Sequence, residues 1–178
     1  MLSKFFPDDY IKSVYDVDFS ALYKEGYRLL LFDVDNTLVP HGAPADERAK
    51  ALFSELKEMG YKVYFLSNNK EGRVKSFCEA VGGDGYIFKC NKPSPRAYLR
   101  AIALSGVSKD EALFFGDQIF TDVMGAKNAG IRNAMVEPVL KWKEEPQIVL
   151  KRFLEAIVLL FFKPNLKSNK GIKKIPMK

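Results

Sequence analysis

The chain has 178 residues, enough for one domain with a sizeable hydrophobic core and few for two. Its composition, 47% hydrophobic and 28% charged, excludes wholesale disorder, and its two cysteines are too few for a disulfide framework. The net charge is +6, but six of the 28 basic residues are lysines that lie from Lys163 onward without any acid. The 22 that remain equal the 22 acidic residues, so the body of the chain is neutral and its tail is basic.

Apolar runs of strand length alternate with amphipathic helical patterns from Arg28 to about Val136. This alternation predicts an α/β fold, a three-layer doubly wound parallel sheet with helices on both faces. The first strand covers Leu29 to Val34, and the first helix begins after Asp46 and ends just before Gly60. The other predicted elements are a strand at 63–66, a helix at 71–81, a strand at 86–88, a helix from 94 or 95 to 104, a strand at 112–115, a helical stretch ending near 130 and a strand at 132–136.

The flanking regions set the predicted domain limits: an N-terminal segment at 1–27, a core at 28–145, and a C-terminal helix with the basic tail at 146–178. The first 14 residues contain no continuous apolar run and no cleavage site of the kind that a secretory signal has. The apolar stretch 148–162 is interrupted by Lys151, Arg152 and Glu155, which makes it too short to span a bilayer. We therefore expect a cytoplasmic protein that can at most associate with a membrane surface.

Four polar side chains fall at the carboxyl ends of predicted strands or in the loops that follow: Asp33, Ser67, Lys92 and Asp117. Open α/β sheets bind their ligands at this edge. Taken singly, each residue is more often a helix cap or a turn residue than a catalytic group. The ordered set favours one functional site.

The predicted site carries more negative charge than its single lysine can neutralise. Asp33 and Asp35 are two residues apart in an extended segment, so their side chains can point the same way. With Asp117 and Asp122, up to four carboxylates face a single lysine, Lys92. Because the ligands are oxygens without a neighbouring His or Cys cluster, the sequence predicts a Mg²⁺ cofactor.

The order of these motifs resembles the haloacid dehalogenase superfamily. A lone DxDxT is common by chance, whereas four motifs in order, each at a strand end, are specific. The DVDNTL segment and the N-terminal residues 4–10 resemble, within that superfamily, the capless class IIIA phosphatases of the YqeG type, which are similar to phosphatidylglycerophosphate phosphatases. The motifs are Asp33-Val34-Asp35-Asn36-Thr37-Leu38, Ser67, Lys92-Pro93, and Gly116-Asp117 with Asp122.

The resemblance implies a role for each matched residue. Asp33 would be the nucleophile that forms an aspartyl-phosphate, and Asp35 would protonate the leaving alkoxide and then activate water. Ser67 would donate a hydrogen bond to a phosphoryl oxygen, and Lys92 would stabilise the charge on Asp33 and on the transferred group.

The same resemblance implies the metal ligands. Asp33, Asp117 and the backbone carbonyl of Asp35 would bind Mg²⁺, with Asp122 supporting the metal or Lys92. The residues expected to shape the turn and bind phosphate are Thr37, Asn36 and Asn68. His41, the only histidine, is expected at the surface, where it could line the entrance.

The spacing of the motifs leaves no room for a cap domain, so we expect an open site. The family likeness implies phosphatidylglycerophosphate as substrate. A lipid headgroup suits two further features: the stretch 149–162 with its lysine tail resembles an interfacial helix that could contact an anionic membrane, and several apolar residues near the N-terminus could enter an interface. These residues are Leu2, Phe5, Phe6, Tyr10 and Ile11.

Other interpretations stay open at this point. The C-terminal helix could instead pack on the sheet or on a second subunit, the tail could be a solvated end, and the oligomeric state is not predicted. The rival functions are a phosphatase of a soluble phosphorylated metabolite, a nucleic-acid 3′-phosphatase and a non-catalytic metal-binding module. No nucleic-acid partner is expected, because the tail lacks interleaved aromatics and arginines and the body is neutral.

Overall fold

The computed structural model describes residues 5–140, 154, 155, 157, 158, 160 and 174–178. Six strands form one sheet in the order β1-β6-β5-β2-β3-β4, and every neighbouring pair is parallel. This confirms the predicted α/β class. The strands are β1 (Asp9–Ile11), β2 (Leu29–Phe32), β3 (Lys62–Leu66), β4 (Gly85–Ile87), β5 (Ala112–Gly116) and β6 (Arg132–Val136).

Helices cover both faces of the sheet. Alternate residues of β2 point to opposite sides, so Leu30 and Phe32 belong to one hydrophobic cluster and Leu29 and Leu31 to another. The first cluster contains apolar residues of α1, α2 and α3, and the second contains those of α4 and α5. The helices are α1 (Phe19–Lys24), α2 (Glu47–Glu58), α3 (Glu71–Val81), α4 (Arg96–Ser105) and α5 (Met124–Ala129), with short turns at Val14–Asp16, Lys109–Glu111 and Ile119–Val123.

Local sequence signals explain most of the element boundaries. The carboxylate of Asp46 accepts a hydrogen bond from the Ala49 amide at 2.7 Å and so caps α2, as predicted. Strand β2 is shorter than predicted: Asp33 still donates its amide to the Phe115 carbonyl, but the chain then leaves the sheet in a turn at Asn36, where φ is +63°. The polar end of the strand therefore lies in the loop above the sheet.

The N-terminal segment contributes an edge strand that the sequence analysis did not predict. Strand β1 pairs in parallel with β6, and Ile11 is buried against the core. The expectation that Ile11 enters a membrane interface is therefore wrong. Tyr10 points outward on the same strand, and the Phe5 ring packs edge-on against Phe120. Leu2 lies outside the described residues.

Residues 174–178 pack on the core. The Ile175 side chain is buried in the same cluster as Leu30, and Met177 forms an antiparallel bridge with Val17. This end of the lysine tail is thus not a solvated end, because it is anchored to the core by Ile175. The rest of the tail, 163–173, lies outside the described residues, and its contact with a membrane stays a prediction. No helix in the described part of the chain is long and apolar enough to cross a membrane.

Candidate active site

A cleft of about 350 Å³ opens at the carboxyl edge of the sheet. It contains most of the residues that the motifs single out, together with three for which the sequence predicts no role: Asn69, Gln118 and Thr121. His41 also lines it and is exposed, as expected. In the part of the chain that the structure describes, no cap domain is inserted between the strands. The lining residues are Asp33, Asp35, Asn36, His41, Ser67, Asn68, Asn69, Lys92, Gln118 and Thr121.

Three buried carboxylates meet beside this cleft. Asp33, Asp117 and Asp122 each offer an oxygen within 4.8 Å of the others. The Lys92 ammonium lies between two of them, at 2.6 Å from Asp33 Oδ1 and 2.6 Å from Asp122 Oδ1, and it also donates to the Leu66 carbonyl at 3.0 Å. The ends of β2, β3 and β5 and the loop after β4 thus place residues that are far apart in sequence within one charge network.

One lysine does not balance three buried carboxylates. Burial raises the pKa of Asp33 to about 7, against the lowering effect of Lys92. Burial by itself lowers the pKa of Lys92, but Asp122 and Asp33 raise it well above its ordinary value. Because an excess of buried negative charge is costly, and because the donors are all carboxylate oxygens, Asp33, Asp117 and Asp122 fit a hard divalent cation such as Mg²⁺.

Asp35 has a different environment from Asp33. Its side chain stands apart from the three-carboxylate cluster, and its Oδ1 accepts from the Gly42 amide at 2.8 Å and from Arg73 Nη2 at 2.9 Å. Its Oδ2 accepts from Asn69 Nδ2 at 3.2 Å. Burial would raise the pKa of Asp35, but these hydrogen bonds and the Arg73 charge lower it below its ordinary value. Coordination of a metal by the backbone carbonyl of Asp35 stays a prediction.

The predicted phosphate ligands also support their neighbours. Thr37 Oγ1 donates to Asp117 Oδ1 at 3.3 Å and does not line the cleft. Asn68 Oδ1 accepts from the Lys92 amide at 2.8 Å, which orients the loop that carries the lysine. Ser67 Oγ accepts from the Asn69 amide at 3.1 Å and keeps its hydroxyl proton for another acceptor. Contact of these residues with phosphate stays a prediction.

Glycine at position 116 is required by the approach of Asp122. A Cβ atom built on Gly116 would lie 2.6 Å from the Cβ of Asp122, closer than any side chain tolerates. The Asp122 carboxylate in turn accepts from the Gln118 amide at 3.0 Å, which closes the loop after β5. The Gly116-Asp117 pair of the motif therefore combines a packing requirement with a metal-ligand candidate.

Two residues outside the motifs, which the sequence pattern does not predict, support the site. Arg73, in the first turn of α3, binds Asp35, and buried Glu155 accepts from the Ile119 amide at 2.7 Å in the loop after β5. A basic residue in the first turn of a helix was a signal for Arg73, because the helix dipole disfavours it there. No local pattern marks Glu155.

Comparisons with known proteins show the family of the chain. A family model described as haloacid dehalogenase-like hydrolase matches residues 43–130. The "Probable phosphatase YqeG" of Bacillus subtilis is 38% identical over 141 residues, which cover 78% of this chain and 81% of that protein.

More distant relatives extend the comparison. The "Phosphatidylglycerophosphate phosphatase 1, chloroplastic/mitochondrial" of Arabidopsis thaliana is 26% identical over 84% of this chain, which aligns with only 45% of that protein. Among solved structures, the cobalt-bound deoxy-D-mannose-octulosonate 8-phosphate phosphatase of Haemophilus influenzae shares the fold, with a TM-score of 0.52 at 12% identity over 78% of this chain and 91% of that one. The chain therefore belongs to the haloacid dehalogenase-like hydrolases, in the family of the YqeG phosphatase, and is itself a phosphatase.

Proposed function

We propose that the protein is a Mg²⁺-dependent phosphomonoester hydrolase that works through an aspartyl-phosphate on Asp33. The observation that carries the proposal is the contrast between the two aspartates of the first motif. Asp33 lies in the cleft with Lys92 bonded to its Oδ1, while Asp35, two residues further on, is held by other donors. A cation held by Asp33, Asp117 and Asp122 would keep Asp33 ionised, as a nucleophile requires, whereas the Asp35 side chain stands outside this cluster and can take a different role.

In the first half-reaction, a carboxylate oxygen of Asp33 forms a bond to phosphorus as the bond to the leaving alkoxide breaks. The alkoxide takes a proton from Asp35 and leaves as an alcohol. Lys92 stabilises the charge that builds up on the phosphoryl oxygens, and the hydroxyl of Ser67 donates to one of them. Both residues line the cleft beside Asp33.

In the second half-reaction, water attacks the phosphorus, Asp35 takes its proton, and the carboxylate of Asp33 leaves. Inorganic phosphate is released and Asp35 recovers the proton that it gave to the alcohol, so each turnover balances. Asp33, Asp117 and Asp122 are the residues that would hold Mg²⁺. When bound, the cation supplies charge neutralisation for the carboxylates and the phosphate.

Phosphatidylglycerophosphate is the substrate that we propose. Two relatives carry the name of a phosphatase for this lipid, one from Arabidopsis thaliana and one from Chlamydomonas reinhardtii that is 26% identical over 78% of this chain. The lack of an inserted cap in residues 5–140 suits a phosphate displayed on a surface. A cytoplasmic enzyme with access to the membrane surface would meet such a headgroup.

The test is phosphate release by the purified protein with Mg²⁺ from phosphatidylglycerophosphate in mixed micelles. The matched comparison substrate is the deacylated headgroup, which has the same phosphomonoester but no acyl chains. Nucleotides, sugar phosphates and a 3′-phosphorylated DNA complete the panel. Asp33→Asn and EDTA serve as controls. The aspartyl-phosphate is detected with a ³²P-labelled substrate, as label on the protein that survives an acid quench and is released by alkali.

Each outcome decides one part of the proposal. Preferential turnover of the lipid, lost in Asp33→Asn and in EDTA, supports both mechanism and substrate. Faster turnover of a soluble phosphate would keep the mechanism and discard the lipid. Release that persists in Asp33→Asn would refute the nucleophile, and release that persists in EDTA would refute the metal dependence.

A further inference from the structure

The position of Arg73 is unfavourable for a helix taken alone. Arg73 is the third residue of α3, which begins at Glu71, and its side chain is only 16% exposed. A positive charge in the first turn opposes the helix dipole, and partial burial adds a desolvation cost. Its ion pair and hydrogen bonds with Asp35 offset these two costs, which indicates that Arg73 acts through Asp35.

The Arg73 guanidinium binds one oxygen of the Asp35 carboxylate, and the other oxygen accepts fewer hydrogen bonds. Arg73 Nε and Nη2 both donate to Asp35 Oδ1, at 3.2 and 2.9 Å, and the Gly42 amide donates to the same oxygen at 2.8 Å. Oδ2 accepts only from Asn69 among the contacts of the described residues. Because a carboxylate oxygen has about two lone-pair sites, Oδ1 is saturated and Oδ2 keeps a site for a proton.

Arg73 lies behind Asp35 as seen from the cleft. Asp35 and Asn69 line the cleft, whereas Arg73 does not. Its guanidinium also lies over the Phe77 ring, 5.6 Å from the centroid, which limits its movement toward a ligand. Arg73 therefore does not act as a cation that binds the substrate directly.

We propose that Arg73 is a positioning residue, which orients Asp35 so that Oδ2 is the oxygen that exchanges protons with the leaving group and with water. The inference rests on the proposed acid and base role of Asp35. In each turnover Oδ2 gives one proton to the alkoxide as the ester bond breaks, and regains one from the water that hydrolyses the aspartyl-phosphate.

The dependence of the rate on the leaving group tests this role. The value of kcat/KM reports the steps up to and including release of the alcohol. The alkoxide of an alkyl phosphate must be protonated as it leaves. By contrast, p-nitrophenyl phosphate releases p-nitrophenolate, a stable anion that needs no proton. We expect Arg73→Ala to lower kcat/KM for the alkyl ester about 10- to 100-fold, within the range of general acid catalysis, and for the aryl ester less than about threefold. Arg73→Lys, which retains a donor and the charge, should recover part of the loss.

Two comparisons separate this inference from other causes. Asp35→Asn should show the same selective loss of kcat/KM for the alkyl ester. In the double variant Asp35→Asn/Arg73→Ala, the second substitution should lower kcat/KM little further. Lys75→Ala, on the same helix and exposed, controls for changes in α3 itself.

The possible results are distinguishable. A selective loss in Asp35→Asn that is absent in Arg73→Ala would refute the positioning role and leave the proposed function intact. An equal loss for both esters in Arg73→Ala, or a rise in KM alone, would show a structural or a substrate-binding role instead. If Asp35→Asn itself lacks the selectivity, or if neither ester is hydrolysed in an Asp33-dependent manner, the proposed acid and base role fails and this inference with it.

Discussion

Two aspartates of one short motif differ in their chemistry because their surroundings differ. Asp33 is buried beside two further carboxylates, and burial raises its pKa to about 7. Asp35 accepts hydrogen bonds from Gly42, Asn69 and Arg73, which lower its pKa in spite of burial. The arrangement places the group with excess negative charge at the candidate metal site and holds the other carboxylate apart from it, in its own set of hydrogen bonds.

Cation binding at the three carboxylates should depend on pH. Because a cation must displace a proton from Asp33, its affinity should rise as the pH increases through about 7. At a Mg²⁺ concentration about 100 times the dissociation constant, the gain in stability is about 2.7 kcal/mol, so the melting temperature at about pH 8 should rise by roughly 5 to 10 °C. At about pH 5.5 the shift in a thermal melt should be much smaller.

Asp117→Asn should abolish this shift, while Asp110→Asn, an exposed residue outside the site, should retain it. Equal shifts at both pH values would mean that Mg²⁺ does not compete with a proton on Asp33. An undiminished shift in Asp117→Asn would place the cation elsewhere.

The loop after β5 is constrained by close packing. Gly116 ends that strand, and the side chain of Asp122 occupies the space where a Cβ would lie. The short turn at Ile119–Val123 brings Asp122 back to the strand end, within reach of Lys92. Small changes in this loop should therefore affect both the stability of the fold and the charge network.

We predict that Gly116→Ala destabilises the protein by about 1 to 3 kcal/mol, as overpacked sites do, and lowers phosphatase activity because Asp122 moves away from Lys92. Chemical denaturation and steady-state kinetics measure the two effects. Gly72→Ala is the matched control, since a Cβ there meets nothing within 4 Å and alanine favours a helix. If Gly116→Ala were as stable as wild type, the close approach of Asp122 to position 116 would be ruled out.

Residues 174–178 provide a second test of an element. Ile175 is buried, and its amide donates to Asp9 Oδ1 at 2.9 Å, next to the edge strand β1. Ile175→Ala should lower the free energy of unfolding by about 2 kcal/mol, whereas Met177→Ala, which is 43% exposed, should cost far less. Similar small losses for both variants in urea denaturation would show that this segment is not part of the core.

The molecule as a whole extends beyond the region that defines the family. The family model matches residues 43–130, but the cleft is also lined by Asp33, Asp35, Asn36 and His41, which precede that range, and residues that follow it pack on the loop after β5. Glu155 is 2% exposed and accepts from the Ile119 amide, and Val158 packs against Ile119, Val123 and Met135. Distant parts of the chain thus support the loop that carries Asp122.

We predict that Glu155→Ala lowers stability by about 1 to 3 kcal/mol, since it leaves a buried amide without its acceptor, and that it weakens Mg²⁺ binding. Glu155→Gln retains an acceptor oxygen and should be milder. Leu160→Ala, at a position that is 66% exposed, serves as the control. Thermal melts with and without Mg²⁺ measure both effects, and a Glu155→Ala variant with an unchanged Mg²⁺ response would separate this segment from the site.

The amino-acid sequence is sufficient to predict the fold class and to bring the candidate site residues to one edge of the sheet. The α/β alternation, the Asp46 cap and the strand Arg132–Val136 follow from apolar periodicity and capping, which depend on residues close together in the chain. Because the carboxyl ends of parallel strands share one edge, Asp33 and Lys92 could be expected in the same cleft.

The features that escaped prediction depend on contacts between residues far apart in the chain. Strand β1 has three residues, too few to show a period, and its pairing with β6 is visible only in the folded chain. Arg73 reaches Asp35 across 38 positions, and Glu155 reaches Ile119 across 36. The place of Arg73 in the first turn of a helix is unusual, but no local pattern indicates the partner of either residue. Local sequence therefore specifies which elements form and which edge carries the chemistry, whereas the environment of each charged group arises from tertiary packing, because burial and partner charges exist only once the distant segments meet.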